Sequence, residues 1–293
     1  MKIGAMDQMW SDLPFEARLD RISKLGFEGF QAWFLTAELG FAIPHSWFRG
    51  IEVKRLKLSP NQLRRITQNL GLEIACFGPH YIMGHHPPTY IEHGLSEFKN
   101  EEEKRNRIKD IKKLIEFSYD SGVNIVVLFS GGDPAKKVYW SQLVDMVRIL
   151  VDHAEKFGMI LAIENMPQLL VNDEDALLKL INDVGSKYLK VNFDPKNLNY
   201  MNRDIPQAVR KLKGHICLTH GGDSLSGAKE FTTRVIGKGT VPYLEYLTAL
   251  KEIEYDGWII IEYGGDERGI EPGMVESKQN LEHFISKVWK GVY

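Results

Sequence analysis

The sequence holds only two cysteines, Cys76 and Cys217. Two thiols cannot build a disulfide framework, and a chain this poor in them suits a reducing compartment, so a cytoplasmic protein is expected. No charge of one sign dominates: 37 Lys and Arg stand against 39 Asp and Glu, a net charge of −2. Nucleic-acid-binding domains usually carry a basic excess, so no nucleic acid is expected as partner. No run of about 18 apolar residues occurs, which excludes a membrane-spanning helix. The opening MKIGAMDQMW, broken early by Asp7, lacks the apolar core of a signal peptide. Ser/Pro-rich linkers and low-complexity tracts are missing too, so residues 1–293 read as one domain.

What is there is an alternation. Short apolar runs rich in β-branched residues fall at 2–6, 29–33, 72–77, 124–129, 159–164, 189–194, 215–220 and 258–262. Between them, apolar spacing near 3.6 predicts helices over 15–25, 59–70, 101–121, 139–157, 173–184, 205–212, 241–253 and 274–289. Ser59-Pro60 reads as an N-cap with proline in the first turn. Apolar strands joined by helical crossovers imply a parallel sheet buried on both faces. Eight such units in a chain of this length fit a (β/α)8 TIM barrel. An open doubly wound sheet usually has a glycine-rich phosphate turn after its first strand; here that strand runs into Asp7-Gln8-Met9-Trp10. A long loop is expected at about 34–58 after strand two, with Phe34, Phe41, Trp47 and Phe48 on it.

In a barrel the chemistry lies at the C-terminal ends of the strands. Strand five ends in Glu164, six in Asp194, seven in His220 and eight in Glu262. A lone strand-end carboxylate is more often a helix cap or a loop anchor. Three carboxylates aimed at one mouth beside an imidazole repel each other, and a divalent cation removes that cost. The donor set suits Mn2+ foremost, with Mg2+, Co2+ and Zn2+ also compatible.

These residues carry a resemblance. AIENMP, VNFDPKNL and THGGD resemble the strand-five, strand-six and strand-seven motifs of the xylose-isomerase-like TIM-barrel superfamily. The block GKGTVPYLEYLTALKEIEYDGWIIIEYGG resembles its C-terminal signature. The sequence is most similar to the sugar epimerase branch of D-tagatose and D-psicose 3-epimerases; inosose dehydratases and the endonuclease IV family share the scaffold. The resemblance implies one divalent metal held by Glu164, Asp194, His220 and Glu262. It also implies that Glu164 and Glu262 act as acid and base on opposite faces of a keto sugar or related polyol, through a metal-stabilised enediolate. A metal-dependent lyase or dehydratase on the same residues is the alternative, and a binding barrel without catalysis a third reading.

The sequence departs from the branch at Asn197, where many epimerases have a histidine that contacts the sugar. Asn197 can donate a hydrogen bond but does not titrate near neutrality. The endonuclease branch expects a histidine where Ser130 stands and another after strand seven, and neither is present. His80, in the loop after strand three, Asn197, Arg234, and Trp10 and Trp33 at the ends of strands one and two are the candidate substrate contacts. His85 and His86 read as solvated loop residues, and Cys217 as a small buried hydrophobe. The partner expected is a small-molecule sugar, and aromatics on the 34–58 loop could equally serve a homo-oligomer interface.

Overall fold

The strand Lys2–Met6 (β1) pairs in parallel with both Gly29–Ala32 (β2) and Trp258–Ile261 (β8), so the sheet has no free edge. Glu73–Phe77 (β3), Ile125–Leu128 (β4), Ile160–Glu164 (β5), Leu189–Phe193 (β6) and Ile216–Gly221 (β7) complete the circle. The order is β1 through β8 in sequence, a closed TIM barrel. The structure, a computed structural model, describes residues 1–41, 54–78, 98, 100–132 and 138–291.

Ten helices are seen among the described residues: Phe15–Lys24 (α1), Phe34–Glu38 (α2), Pro60–Asn69 (α3), Glu101–Asp120 (α4), Val138–Glu155 (α5), Glu174–Val184 (α6), Pro195–Tyr200 (α7), Ile205–Lys211 (α8), Tyr243–Glu252 (α9) and Ile270–Lys290 (α10). Eight match the sequence expectation. α2 and α7 are short additions inside the loops after β2 and β6, and α10 begins four residues before 274. Of the loop expected at 34–58, residues 34–38 are helical, and Trp47 and Phe48 lie outside the described residues. No helix among the described residues is long and apolar enough to cross a membrane.

The strands read as apolar runs because both faces are covered. Val126, Val127, Leu128, Leu161, Ala162, Val191, Ile259, Ile260 and Ile261 are all buried. Outside them pack helix faces such as Leu143, Met146, Val147 and Leu150 of α5. Ends are set by local chemistry. Ser59 accepts from Gln62 N at 3.3 Å and donates its own backbone N–H to Gln62 Oε1 at 2.9 Å, a capping box before Pro60, of a kind worth about 1 kcal/mol. Gly185 closes α6 at φ 75°, which favours a residue without Cβ.

One buried cluster shapes the mouth of the barrel. Asp7 accepts from the backbone N–H groups of Trp33, Phe34 and Leu35 at 2.7, 2.7 and 2.8 Å, and so anchors the start of α2. Arg18 lies against it at 3.5 Å, pairs with Glu38 in a short contact, and rests its guanidinium 4.8 Å from the Phe34 ring. These contacts fix Trp33 at the end of β2.

Candidate metal centre

Glu164 is the last residue of β5, Asp194 follows β6, His220 lies near the end of β7 and Glu262 follows β8. One donor atom each from Glu164, Asp194 and His220 lies within 4.8 Å of the others, and all three residues are buried. His220 Nδ1 is 3.5 Å from Glu164 Oε1, 3.6 Å from Asp194 Oδ2 and 3.6 Å from Glu262 Oε2. This nitrogen is buried with no hydrogen-bond partner. The opposite nitrogen, Nε2, faces Gln31 Oε1 at 2.8 Å. We assign a proton to Nε2 in that bond, so Nδ1 is the nitrogen turned toward the three carboxylates. An imidazole oriented by an outer acceptor, with its free nitrogen turned to clustered carboxylates, is the arrangement of a metal ligand. The residues therefore fit a divalent cation.

Each donor is held. Asn192 Nδ2 donates to Glu164 Oε2 at 2.7 Å, leaving Oε1 toward His220. Asn165 and Asp194 are locked reciprocally: Asp194 N donates to Asn165 Oδ1, and Asn165 Nδ2 to the Asp194 carbonyl, both at 2.9 Å. Asp194 is also the N-cap of α7, accepting from Lys196 N at 2.9 Å. Lys196 Nζ donates to Asp194 Oδ2 in a short contact and to Glu262 Oε2 at 2.6 Å.

The electrostatics follow from crowding. Burial pushes the Glu164 carboxyl up, against the pull of His220. Burial opposes a charge on His220 as well, but the carboxylates of Glu164 and Asp194 outweigh it and push the imidazole up to about 10. Burial would raise Asp194; Lys196 and His220 win, and hold it down at about 2. Lys196 stays charged because Asp194 and Glu262 outweigh its own burial. A cation bound among these groups would replace the proton on His220 as their counter-charge.

A small cavity is lined by Met6, Gln8, Trp33, Phe129, Glu164, Met166, His220 and Glu262. Its walls are apolar and its polar groups converge, the usual form of a small-molecule site. Trp33 meets Phe129 edge-on at 5.3 Å. A Cβ on Gly78 would stand 2.7 Å from the Trp33 ring, so that glycine gives the indole its place.

The other substrate candidates are distributed unevenly. Trp10 is buried away from the cavity lining, with its Nε1 donating to Glu271 Oε2 at 3.3 Å and its ring edge-on to Phe27. Asn197 is buried beside Asp194, donating to Asp194 Oδ2 at 3.0 Å and to the Asn165 carbonyl at 2.8 Å. Arg234 has an exposed side chain, and its backbone N–H bonds to the Asp223 carbonyl at 2.8 Å. His80, His85 and His86 lie outside the described residues.

Sequence reading missed Gln8, Gln31, Asn165, Asn192 and Lys196. Gln31 and Asn192 carried a usable signal: each is a polar residue inside an apolar strand, two positions before Trp33 and Asp194, and therefore on the same side of its strand.

The family model described as "Xylose isomerase-like TIM barrel" matches residues 19–287. An uncharacterized protein of Methanocaldococcus jannaschii is 29% identical over 200 residues, 64% of this chain and 66% of its own length. A D-psicose 3-epimerase of Ruminiclostridium cellulolyticum is 26% identical over 130 residues, 43% of this chain and 42% of the epimerase. The matched stretches thus span less than two thirds of these relatives. The solved structure of a xylose isomerase domain protein from Planctomyces limnophilus superposes with a TM-score of 0.75 at 22% identity, covering 98% of this chain and 97% of that one. With the family model spanning nearly the whole barrel, this chain belongs to the xylose isomerase-like TIM-barrel family.

Proposed function

We propose that this barrel is a divalent-metal-dependent epimerase or isomerase acting on an unphosphorylated keto sugar or a related polyol. The observation that carries the reading is His220 Nδ1, buried and without a partner, 3.5–3.6 Å from carboxylate oxygens of Glu164, Asp194 and Glu262. The likeness to D-psicose 3-epimerases supports the substrate class.

Glu164, Asp194, His220 and Glu262 would hold the cation, with Mn2+ the best match to a set of hard oxygens and one nitrogen. When bound, it supplies Lewis-acid stabilisation of the charge that develops on the substrate oxygens. The protein residues divide the remaining work. Inverting a carbinol next to a carbonyl requires a proton to leave one face and another to return on the opposite face, so two bases are needed. Glu164 and Glu262 both line the cavity and come from the ends of β5 and β8, strands that are not neighbours in the barrel. One carboxylate takes the proton from the carbinol carbon and keeps it as a carboxylic acid. The other, already protonated, delivers its proton to the same carbon from the far side. Asn192 and Lys196 hold one oxygen of each glutamate and so fix the orientation of both carboxylates. Trp33, Phe129, Met6 and Met166 supply apolar surface for the sugar face and exclude water.

The deciding experiment is incubation with Mn2+ and a panel of ketoses in heavy water. Deuterium at the inverted carbon of a recovered epimer supports the reading. An unsaturated or deoxy product would show a lyase on the same residues, and no turnover of any ketose would refute the proposal.

A further inference from the structure

Lys196 stands at the second position of α7 with only 2% of its surface exposed. Lysine is almost never buried unless paired. Its Nζ donates to Asp194 Oδ2 and to Glu262 Oε2, the same two oxygens that face His220 Nδ1 at 3.6 Å. The chain is built around this placement. A Cβ on Gly222 would stand 2.8 Å from Lys196 Cδ and 3.0 Å from the Glu262 carbonyl oxygen, so that glycine leaves a channel for the lysine stem. At the root of the side chain, Lys196 N donates to Asp194 Oδ1, and the Lys196 carbonyl accepts from Ser224 Oγ, both at 2.9 Å. The ammonium is therefore aimed at the two carboxylates by backbone bonds on both sides of its own residue.

We propose that Lys196 is a positioning residue and resident counter-cation of the metal centre: it ties Asp194 to Glu262 and, through its fixed charge, weakens the hold on a divalent cation. This rests on the metal reading above. Before either glutamate takes a proton, three carboxylates, one ammonium and one divalent cation with a neutral imidazole add to zero charge. Without the ammonium the loaded site keeps a surplus negative charge, which opposes the build-up of an enediolate. A positive charge touching two ligand carboxylates also lowers the local potential that attracts a second cation, in a buried setting where charges are poorly screened. The same contact holds the Glu262 carboxyl in one orientation.

The test compares the full-length parent with Lys196→Met, which keeps an apolar stem, and Lys196→Gln, a neutral donor. Mn2+ affinity is measured by competition with a chelating dye, and melting temperature with and without Mn2+. Both variants are expected to bind Mn2+ at least tenfold more tightly, about 1.4 kcal/mol, and to show a larger Mn2+-induced rise in Tm. General loosening of the site would move affinity the other way, so equal or weaker binding in the variants overturns the proposal. A Gln variant that binds like the parent while Met binds tighter overturns the charge argument as well. If only the variants bind Mn2+, the counter-cation role stands and metal dependence of the parent falls; if none binds, both fall. Tightening without turnover of any ketose would remove the enzymatic reading alone.

Discussion

Gln31 Oε1 lies 2.8 Å from His220 Nε2, joining β2 to β7 across the barrel, and accepts the proton assigned to that nitrogen. Both side chains are buried. The bond fixes the ring plane and the tautomer, and so decides which nitrogen faces the carboxylates. In Gln31→Leu the imidazole loses this acceptor. Metal affinity is expected to fall about 10–100-fold, measured by dye competition. A leucine variant that binds Mn2+ like the parent would show that the tautomer is set elsewhere.

Replacing either glutamate by glutamine keeps the shape but removes the proton acceptor. Glu164→Gln and Glu262→Gln are each expected to lower kcat at least about 100-fold at saturating metal, with the fold intact by circular dichroism. Near-parental turnover in either variant would refute the two-base mechanism. The Asn192 bond to Glu164 Oε2 at 2.7 Å survives only if glutamine presents its oxygen there, so a modest loss of stability is expected at that position.

The barrel was legible because strands buried on both faces need apolar runs, and the few polar residues ending those runs, Glu164, Asp194, His220 and Glu262, stood out against them. Single polar residues inside the runs, Gln31 and Asn192, stand out less than a charged residue ending a run, although each is buried and bonded to a centre residue. Short helices escaped for another reason. Five residues in α2 and six in α7 are too few for a 3.6-residue period to register. Lys196 was invisible because Glu262, its second carboxylate, lies 66 positions away. Trp10 sits after β1 as expected, but a 3-10 turn over Asp7–Trp10 carries its ring toward Phe27 and Glu271.

Asp223 organises the segment that follows β7. Its carboxylate accepts from the N–H groups of Ser224, Gly237, Gly239 and Val241 at 2.9–3.0 Å. Asp223→Ala leaves those donors without their acceptor and is expected to cost roughly 3 kcal/mol or more, read as a lower denaturant midpoint. Gly239→Ala tests the same packing, because a Cβ there would stand 2.2 Å from Asp223 Oδ1 and 2.4 Å from the Ser224 carbonyl oxygen. Midpoints equal to the parent in both variants would show that the segment relaxes freely.

Stability also depends on pH through Glu38. Burial pushes its carboxyl from the ordinary 4.5 up to about 7, outweighing the attraction of Arg18, with Asp7 and Glu16 adding to the rise. A folded-state value above the unfolded one means that the folded protein binds the proton more tightly. This contribution is full below about 4.5 and is lost as pH rises through about 7. The stability of the parent relative to Glu38→Gln is therefore expected to fall between pH 4.5 and pH 8, by on the order of 2 kcal/mol. Parallel stability curves for the two proteins across that range would contradict the assignment.

Substrate choice turns on what the cavity offers an anion. A phosphate group is usually gripped by a helix N-terminus or a nest of backbone N–H groups together with an available positive side chain. The cavity lining supplies Met6, Trp33, Phe129 and Met166 as apolar surface, and Gln8, Glu164, His220 and Glu262 as polar groups. Two of those are carboxylates, which repel a dianion. The nearby ammonium of Lys196 is engaged by Asp194 and Glu262, and Arg268 is paired with Asp266 and Glu276. Arg234 is exposed and lies outside the cavity lining. The apolar wall instead matches the face of a sugar ring or chain. A free ketose is therefore expected to be turned over with a kcat/KM above that of the matching ketose phosphate under the same metal. A preference of more than about tenfold for the phosphate, about 1.4 kcal/mol of transition-state binding, would mean that a cationic group outside this lining reaches the substrate.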